Sequence, residues 1–214
     1  MQNLTLIIPT KKEAESLPTF LKEIEKYNCK KLIVLEKEDI ETKKILEEFN
    51  NINILEQKNN GYGNALIEGI NNVQTDFCCI INADGSMDPK YLEEMRKLCV
   101  NKDLVFASRY QKPGGGSDDD DFVTIIGNAV FTFLGNFLFK LKISDILYTY
   151  ILGKTSSFQK LDLKNYDFRI CVEIPIRAKI LNMEYLCVPS HERERIGGKK
   201  KVNAIKDGLL ILSE

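Results

Sequence analysis

Phe77-Cys78-Cys79-Ile80-Ile81 runs directly into Asn82-Ala83-Asp84-Gly85-Ser86-Met87-Asp88-Pro89, and this junction decides how the chain is read. An unbroken apolar run this short describes a strand covered on both faces, as in a parallel sheet. A carboxylate projecting from the end of such a strand costs desolvation unless a cation or hydrogen-bond donors meet it. The alternation Asn82-x-Asp84 places both side chains on one side, toward one hard cation. Magnesium or manganese suits such oxygen ligands and keeps waters and substrate phosphates as its remaining ligands. The same residues also make a good Asx turn, and spacing alone does not separate the two.

Outward from this junction, short β-branched runs alternate with helical patterns. Toward the N-terminus, strands are predicted at Leu4 to Ile8, Leu32 to Leu35 and Ile52 to Leu55. The helices between them are predicted at Ala14 to Tyr27, at Ile40 to Phe49, and from the glycine turn through Asn71. Toward the C-terminus come a short helix from Pro89 to Lys97, a strand at Leu104 to Ala107 and a long helix at Phe122 to Phe139. A helix at Val172 to Leu181, a strand at Tyr185 to Val188, a charged loop from His191 to Lys201 and a terminal helix complete the pattern. This rhythm predicts an α/β fold, a mostly parallel sheet flanked by helices, as one domain over residues 1–214. Gly114 to Asp121, GGGSDDDD, cannot pack a core and is expected to be a mobile surface loop.

Charge and cysteine usage exclude several function classes. Thirty basic and thirty-one acidic residues create no field to attract nucleic acid. The six cysteines lack CxxC spacing, and with one histidine in the chain a zinc cluster is excluded. Buried reduced thiols fit a cytoplasmic protein, with Cys78 and Cys79 facing opposite sides of their strand. The N-terminus reads as lacking a signal peptide. Phe122 to Phe139 carries no charge but is shorter than the roughly 20 residues a span needs. Asn128, Thr132 and Asn136 recur every four residues and draw a polar stripe, so a buried or membrane-surface helix is expected.

In an open parallel sheet, ligands bind outside the carboxyl ends of the strands. Those ends offer Pro9-Thr10 with Glu13, Leu35-Glu36, and Asn82-Ala83-Asp84. Gly61 and Gly63 precede a helix, where glycines let backbone N–H groups approach a phosphate or sugar; a plain loop-to-helix turn is the alternative. The basic run Arg193, Arg195, Lys199, Lys200, Lys201 could fork onto phosphate oxygens, or be a solvated surface.

Taken in order, these motifs resemble glycosyltransferase family two, with the GT-A fold, and are most similar to polyprenyl- and dolichyl-phosphate sugar synthases. IIPTKKEAESL (7–17) resembles the family's opening IPTYNEAENI, NNGYGNALIEG (59–69) its NxGxGxAxxxG, and INADGSMDP (81–89) its DADGSxDP. ASRY followed by GGGS, then GNAVFTFLGNFLFKLKISDILYTY (127–150) and VPSHERERIGGKKKVNAIKDG (188–208), continue the likeness over nearly the whole chain.

The resemblance implies an inverting transfer of a sugar from a nucleoside-diphosphate sugar donor, helped by Mg2+ or Mn2+. The acceptor would be a lipid phosphate or a glycan, reached by peripheral membrane contact in the first case. Pro9, Thr10, Glu13, Glu36, Gly61, Gly63 and Ala83 would line the nucleotide pocket. Asn82, Asp84 and Ser86 would hold the metal. Arg109, Arg195 and Lys201 would contact phosphates, and Asp145 would face the acceptor; as a residue ahead of ILYTYIL, Asp145 also suits a helix N-cap. The chain departs from the pattern at Leu35-Glu36-Lys37-Glu38 (DDGS in the family), at Lys11-Lys12, at Asn82 and at Thr124. Those departures leave a nucleotide-sugar-binding protein without turnover as the alternative.

Overall fold

Leu4–Thr10 (β1) is buried along its whole length, because both faces of the sheet it centres are covered by helices. The computed structural model describes residues 1–197 and Gly208; Lys201, the rest of the lysine run and the expected terminal helix lie outside them. Lys30–Leu35 (β2), Asn53–Glu56 (β3), Phe77–Ile80 (β4), Leu104–Ser108 (β5), Ile151–Lys154 (β7) and Tyr185–Pro189 (β8) join β1 in the order β3-β2-β1-β4-β7-β5-β8. Gly116–Ser117 (β6) and His191–Glu192 (β9) form a separate two-stranded parallel pair.

Helices Leu17–Ile24 (α1), Ile40–Leu46 (α2) and Leu92–Leu98 (α4) cover one face, packing Phe20, Leu46 and Met95 against Leu6, Ile33 and Cys79. Tyr62–Asn72 (α3), Thr155–Lys160 (α6) and Ile170–Ile180 (α7) cover the other, with Leu66, Phe158 and Ile174 against Ile7, Val34 and Cys78. Cys78 and Cys79 thus face opposite cores, as period-two geometry requires. The expected α/β architecture is therefore present: a mostly parallel sheet flanked by helices.

Three strands were not foreseen: the short pair β6 and β9, which fall in segments read as loops, and β7 in the main sheet. The segment after Asp145 reads as helical, yet Ile151–Lys154 inserts as β7, antiparallel to both β4 and β5. Its apolar run is short, and a short apolar run does not distinguish strand from helix by periodicity. Asp145 accordingly caps no helix.

The long helix Phe122–Phe139 (α5) begins where expected, with Asp121 as N-cap accepting from Thr124 N at 2.7 Å. It is arranged inside out. The polar stripe faces the protein: Asn128 Nδ2 donates to Asp145, and Leu147 N donates to Asn128 Oδ1. Thr132 Oγ1 accepts from Ile146 N, while Asn136 both donates to Ile143 O and accepts from Ile143 N. Three polar side chains thereby clamp residues 143–147, which have no regular backbone partners of their own. The apolar residues face outward, with Phe122, Phe133 and Phe137 exposed at 75%, 66% and 71%. By length and composition alone α5 could cross a membrane.

Asn128 is fully buried and bonded twice, so Asn128→Leu should destabilise the fold by about 2 kcal/mol although it makes α5 more apolar. A lowered melting temperature is expected, whereas Phe133→Ser on the outer face should leave it unchanged or raise it.

Candidate active site

The strand order reverses at β1 and β4, where β2 and β3 lie to one side and β7, β5 and β8 to the other. A crevice opens outside the carboxyl ends at such a switch point. Thr10 ends β1 there, and Asn82-Ala83-Asp84 follows β4 there.

Asp84 makes the turn with one carboxylate oxygen and keeps the other outside it. Its Oδ1 accepts from Ser86 N at 3.1 Å and from Ser86 Oγ at 2.9 Å, an Asx turn. Its Oδ2 lies 3.6 Å from Arg195 Nη1. Gly85, at φ +76°, completes the turn, and a Cβ there would meet the Ile196 side chain at 2.4 Å. The chain from Glu192 to Ile196 pins this turn from outside. Met87 pairs with Glu192, Arg193 N donates to Ser86 O, and Ile196 N donates to Asp84 O at 2.8 Å. Arg193, expected to fork onto phosphate, instead grips Gly85 O at 2.7 Å and Glu23 at 2.8 and 2.9 Å.

Asn82 Oδ1 accepts from the Tyr62 hydroxyl at 3.2 Å, and that hydroxyl sits 2.6 Å from Thr149 Oγ1. Asn82 and Asp84 can therefore offer one amide oxygen and one carboxylate oxygen. Among the described residues no group of three or more His, Cys, Asp or Glu side chains could cage a metal ion. The donor set fits a hard cation completed by water and diphosphate oxygens. Ser86, expected beside Asn82 and Asp84, donates to Asp84 Oδ1 at 2.9 Å and so orients that carboxylate. Ala83 is buried at 1% in the core, so only its main chain is available to a ligand.

At the first two strand ends, Pro9, Thr10, Glu13 and Glu36 are all buried on the same edge. Thr10 Oγ1 donates to Ile8 O at 3.0 Å, Glu13 accepts from Ser16 Oγ at 2.8 Å, and Glu36 pairs with Lys11 at 2.8 Å. Gly61 and Gly63 have a different purpose from the expected one. A Cβ on either would strike the carbonyls of Tyr166 or Asn165 at 2.3 and 2.1 Å, and Asn64 N already donates to Tyr166 O. These glycines let residues 165–167 close onto α3 rather than exposing N–H groups to a ligand.

Next to the Asp84 turn lies a buried ionic cluster around Arg109. Its guanidinium donates to Asp145 from Nε at 2.8 Å and from Nη2 at 3.0 Å. Nη1 reaches Asp120 at 3.0 and 3.1 Å and Glu192 at 3.1 Å. Burial works against the charge on Arg109, but Asp145, Glu192 and Asp120 outweigh it and raise its pKa. Asp145, expected to face the acceptor, accepts from Arg109 N, Nε and Nη2 and from Asn128 Nδ2. Four donors saturate its lone pairs, so it positions Arg109. Arg195 likewise forks onto Asp119 at 2.7 and 3.2 Å.

The aspartate run is therefore not the loose loop its composition suggests. Asp118 meets His191 at 2.7 Å, Asp119 takes Arg195, Asp120 takes Arg109 and Tyr110, and Asp121 caps α5. Sequence reasoning missed Asp119, Asp120, Glu192, Tyr62 and Tyr148. The available signal was charge: adjacent aspartates in a nearly neutral chain require cations, and Arg109 and Arg195 are the guanidiniums of the neighbouring motifs. The cysteines take no part. Burial pushes the thiols of Cys78 and Cys171 up to about 12 and that of Cys99 to about 11, so they stay protonated.

Residues 5–162 match the family described as glycosyl transferase family 2. Among solved structures, glucosyl-3-phosphoglycerate synthase from Mycobacterium tuberculosis, in complex with Mn2+, UDP-glucose and phosphoglyceric acid, superposes with a TM-score of 0.73. It is 9% identical, and the match covers 99% of this chain and 78% of that one. S. aureus TarS (residues 1–349) superposes at 0.59 with 15% identity, over 90% of this chain and 60% of that one.

Two outcomes follow from the cluster. Arg109→Met should cost about 3–5 kcal/mol, because buried carboxylates lose their counter-charge. Glu192 is raised above the ordinary carboxyl range by burial, with Arg109 and Ser117 opposing. A raised folded pKa means stability that is full below the unfolded value, about 4.3, and is lost as pH rises through the folded value. Glu192→Gln should therefore melt higher than the parent protein at pH 8, with the gain vanishing toward pH 4 in a series of thermal melts.

Proposed function

This chain belongs to glycosyl transferase family 2, and on that premise we propose that it transfers a sugar from a nucleoside-diphosphate sugar to a polyprenyl phosphate, with the help of Mg2+ or Mn2+. It is a glycosyltransferase of the GT-A fold. The observation that carries the finer reading is the state of Asp145. A sugar hydroxyl acceptor needs a carboxylate to take its proton. The carboxylate best placed by sequence for that task is saturated by Arg109 and Asn128. A phosphate acceptor is already anionic near pH 7 and attacks without a base.

In this mechanism the donor diphosphate lies against the turn after β4, with its leaving oxygens toward Asp84, Asn82 and Arg195. Asp84 Oδ2 and Asn82 Oδ1 would hold the divalent ion, which supplies charge to the departing diphosphate. Ser86 fixes the Asp84 carboxylate, and Tyr62 fixes the Asn82 amide. Arg195, 3.6 Å from Asp84, is near enough to share the charge that develops on the leaving group. Glu13 and Glu36, at the ends of β1 and β2, border the nucleotide side. The acceptor phosphate enters from the Arg109 side and its oxygen attacks the anomeric carbon in line; the bond from that carbon to the diphosphate oxygen breaks, nucleoside diphosphate leaves, and the sugar is inverted.

The outward apolar face of α5 supports peripheral attachment at the inner face of a membrane, where a polyprenyl chain is reached. Cytoplasmic location and one domain spanning residues 1–214 belong to the same proposal. A small soluble phosphate is the second acceptor to consider, since the structurally similar mycobacterial synthase is complexed with phosphoglyceric acid.

Melting curves with UDP-, GDP- and dTDP-sugars, with and without Mn2+, test the donor site. A bound donor at one hundred times its Kd should stabilise the fold by about 2.7 kcal/mol. Asp84→Asn should melt within a degree or two of the parent protein yet lose the metal-dependent part of that gain, and transfer with it. Transfer assays then compare polyprenyl phosphate in anionic vesicles with phosphoglycerate and free sugars. Transfer to a free sugar hydroxyl in preference to any phosphate would reverse the acceptor reading.

A further inference from the structure

Resting on the nucleotide-sugar reading, the arrangement of Asp119 and Asp120 points to a second property of the same site. Arg109 and Arg195 are the guanidiniums a phosphate would meet, and both already fork onto carboxylates of one short segment. Arg195 holds both oxygens of Asp119 at 2.7 and 3.2 Å, and Arg109 Nη1 holds both oxygens of Asp120 at 3.0 and 3.1 Å. A carboxylate on a guanidinium presents two oxygens much as a phosphate does. Among the described residues the local charge is lopsided. Asp84, Asp119, Asp120, Asp145 and Glu192 surround these two arginines. Asp145 has its full set of donors without help from Asp119 or Asp120, so neither is needed to hold it.

An independent observation lies beneath. Tyr148 is 4% exposed, and its hydroxyl has no hydrogen-bond partner among the described residues. The Arg109 guanidinium lies 4.6 Å over its ring, and the charges of Glu192, Arg109, Asp145 and Asp84 act on its hydroxyl. An orphaned buried donor beside the Arg109 guanidinium suits an acceptor atom of a ligand arriving there. The segment runs between Gly114, at φ +104°, and Asp121, the N-cap of α5.

We propose that Gly116 to Asp121 is an internal competitor: Asp119 and Asp120 hold the anion positions of the site until a phosphate-bearing ligand displaces them, whereupon Tyr148 donates to that ligand. The exchange is non-covalent, one pair of anions for another on the same arginines. It sets a threshold, so that weakly charged ligands fail to open the strap and a diphosphate or phosphomonoester succeeds.

The test is titration calorimetry with UDP and with inorganic pyrophosphate, each with Mn2+, on the full chain. Asp119→Asn/Asp120→Asn should bind both at least tenfold more tightly than the parent protein. Asp118→Asn, whose partner is His191, should bind within twofold of it. Adding Tyr148→Phe to the double variant should remove much of the gain. In the unaltered protein, hydrogen exchange at Gly116 and Asp118, whose amides donate to Ser190 O and Glu192 O, should speed up when UDP and Mn2+ bind. That measurement does not depend on the double variant folding. UDP binding to the parent protein with no tighter binding to the double variant, or with exchange unchanged or slowed, overturns the competitor and leaves the donor site standing. Absence of UDP and pyrophosphate binding to both proteins overturns the nucleotide-sugar reading and this one together.

Discussion

Arg109 ties together several parts of the chain that are far apart in sequence. It follows β5, and its guanidinium joins the irregular stretch at Asp145, the aspartate segment at Asp120 and β9 at Glu192. Through Asp145 the same network continues to Asn128 on α5. A buried guanidinium with several fixed donors tolerates little rearrangement, because each lost contact leaves an unpaired charge at low dielectric. α5, the aspartate segment and Glu192 thus share one buried side chain in addition to the contacts each makes separately.

Within that network α5 can face the wrong way round for a soluble helix. Burying Asn128, Thr132 and Asn136 is tolerable because residues 143–147 supply partners for all three. The phenylalanines Phe122, Phe133 and Phe137 stay on the outer face. α5 is wired through Asn128 and Asp145 to Arg109.

The site itself combines a stiff part and an exchangeable part. The Asp84 turn is stiff: Ser86 fixes the carboxylate within the turn, while Arg193 and Ile196 hold its backbone from outside. The ion pairs of Arg195 with Asp119 and of Arg109 with Asp120 are exchangeable, since anions of similar shape can replace carboxylates. Electrostatic preorganisation requires the first property, and admission of a charged substrate requires the second.

Periodicity and composition determined the strands β1 to β5 and β8, the helices between them, and the significance of Asp84, because both faces of a central strand leave their mark on local residue choice. Asn82, Asp84, Arg109 and Arg195 were legible as motif residues for the same reason: their neighbours in sequence form the turn or strand end that presents them. What the tertiary structure alone decided was partnership. β7 could not be placed, since strand insertion order is set by pairing across the sheet. Asp145, Gly61 and Gly63 changed roles because Arg109, Asn128 and residues 165–167 approach them from distant parts of the chain. The aspartate run, disordered by composition, became an ordered strap because two arginines far apart in sequence lie within hydrogen-bond reach of it. Charge along a chain tells how many partners a segment needs, and only folding brings those partners to it.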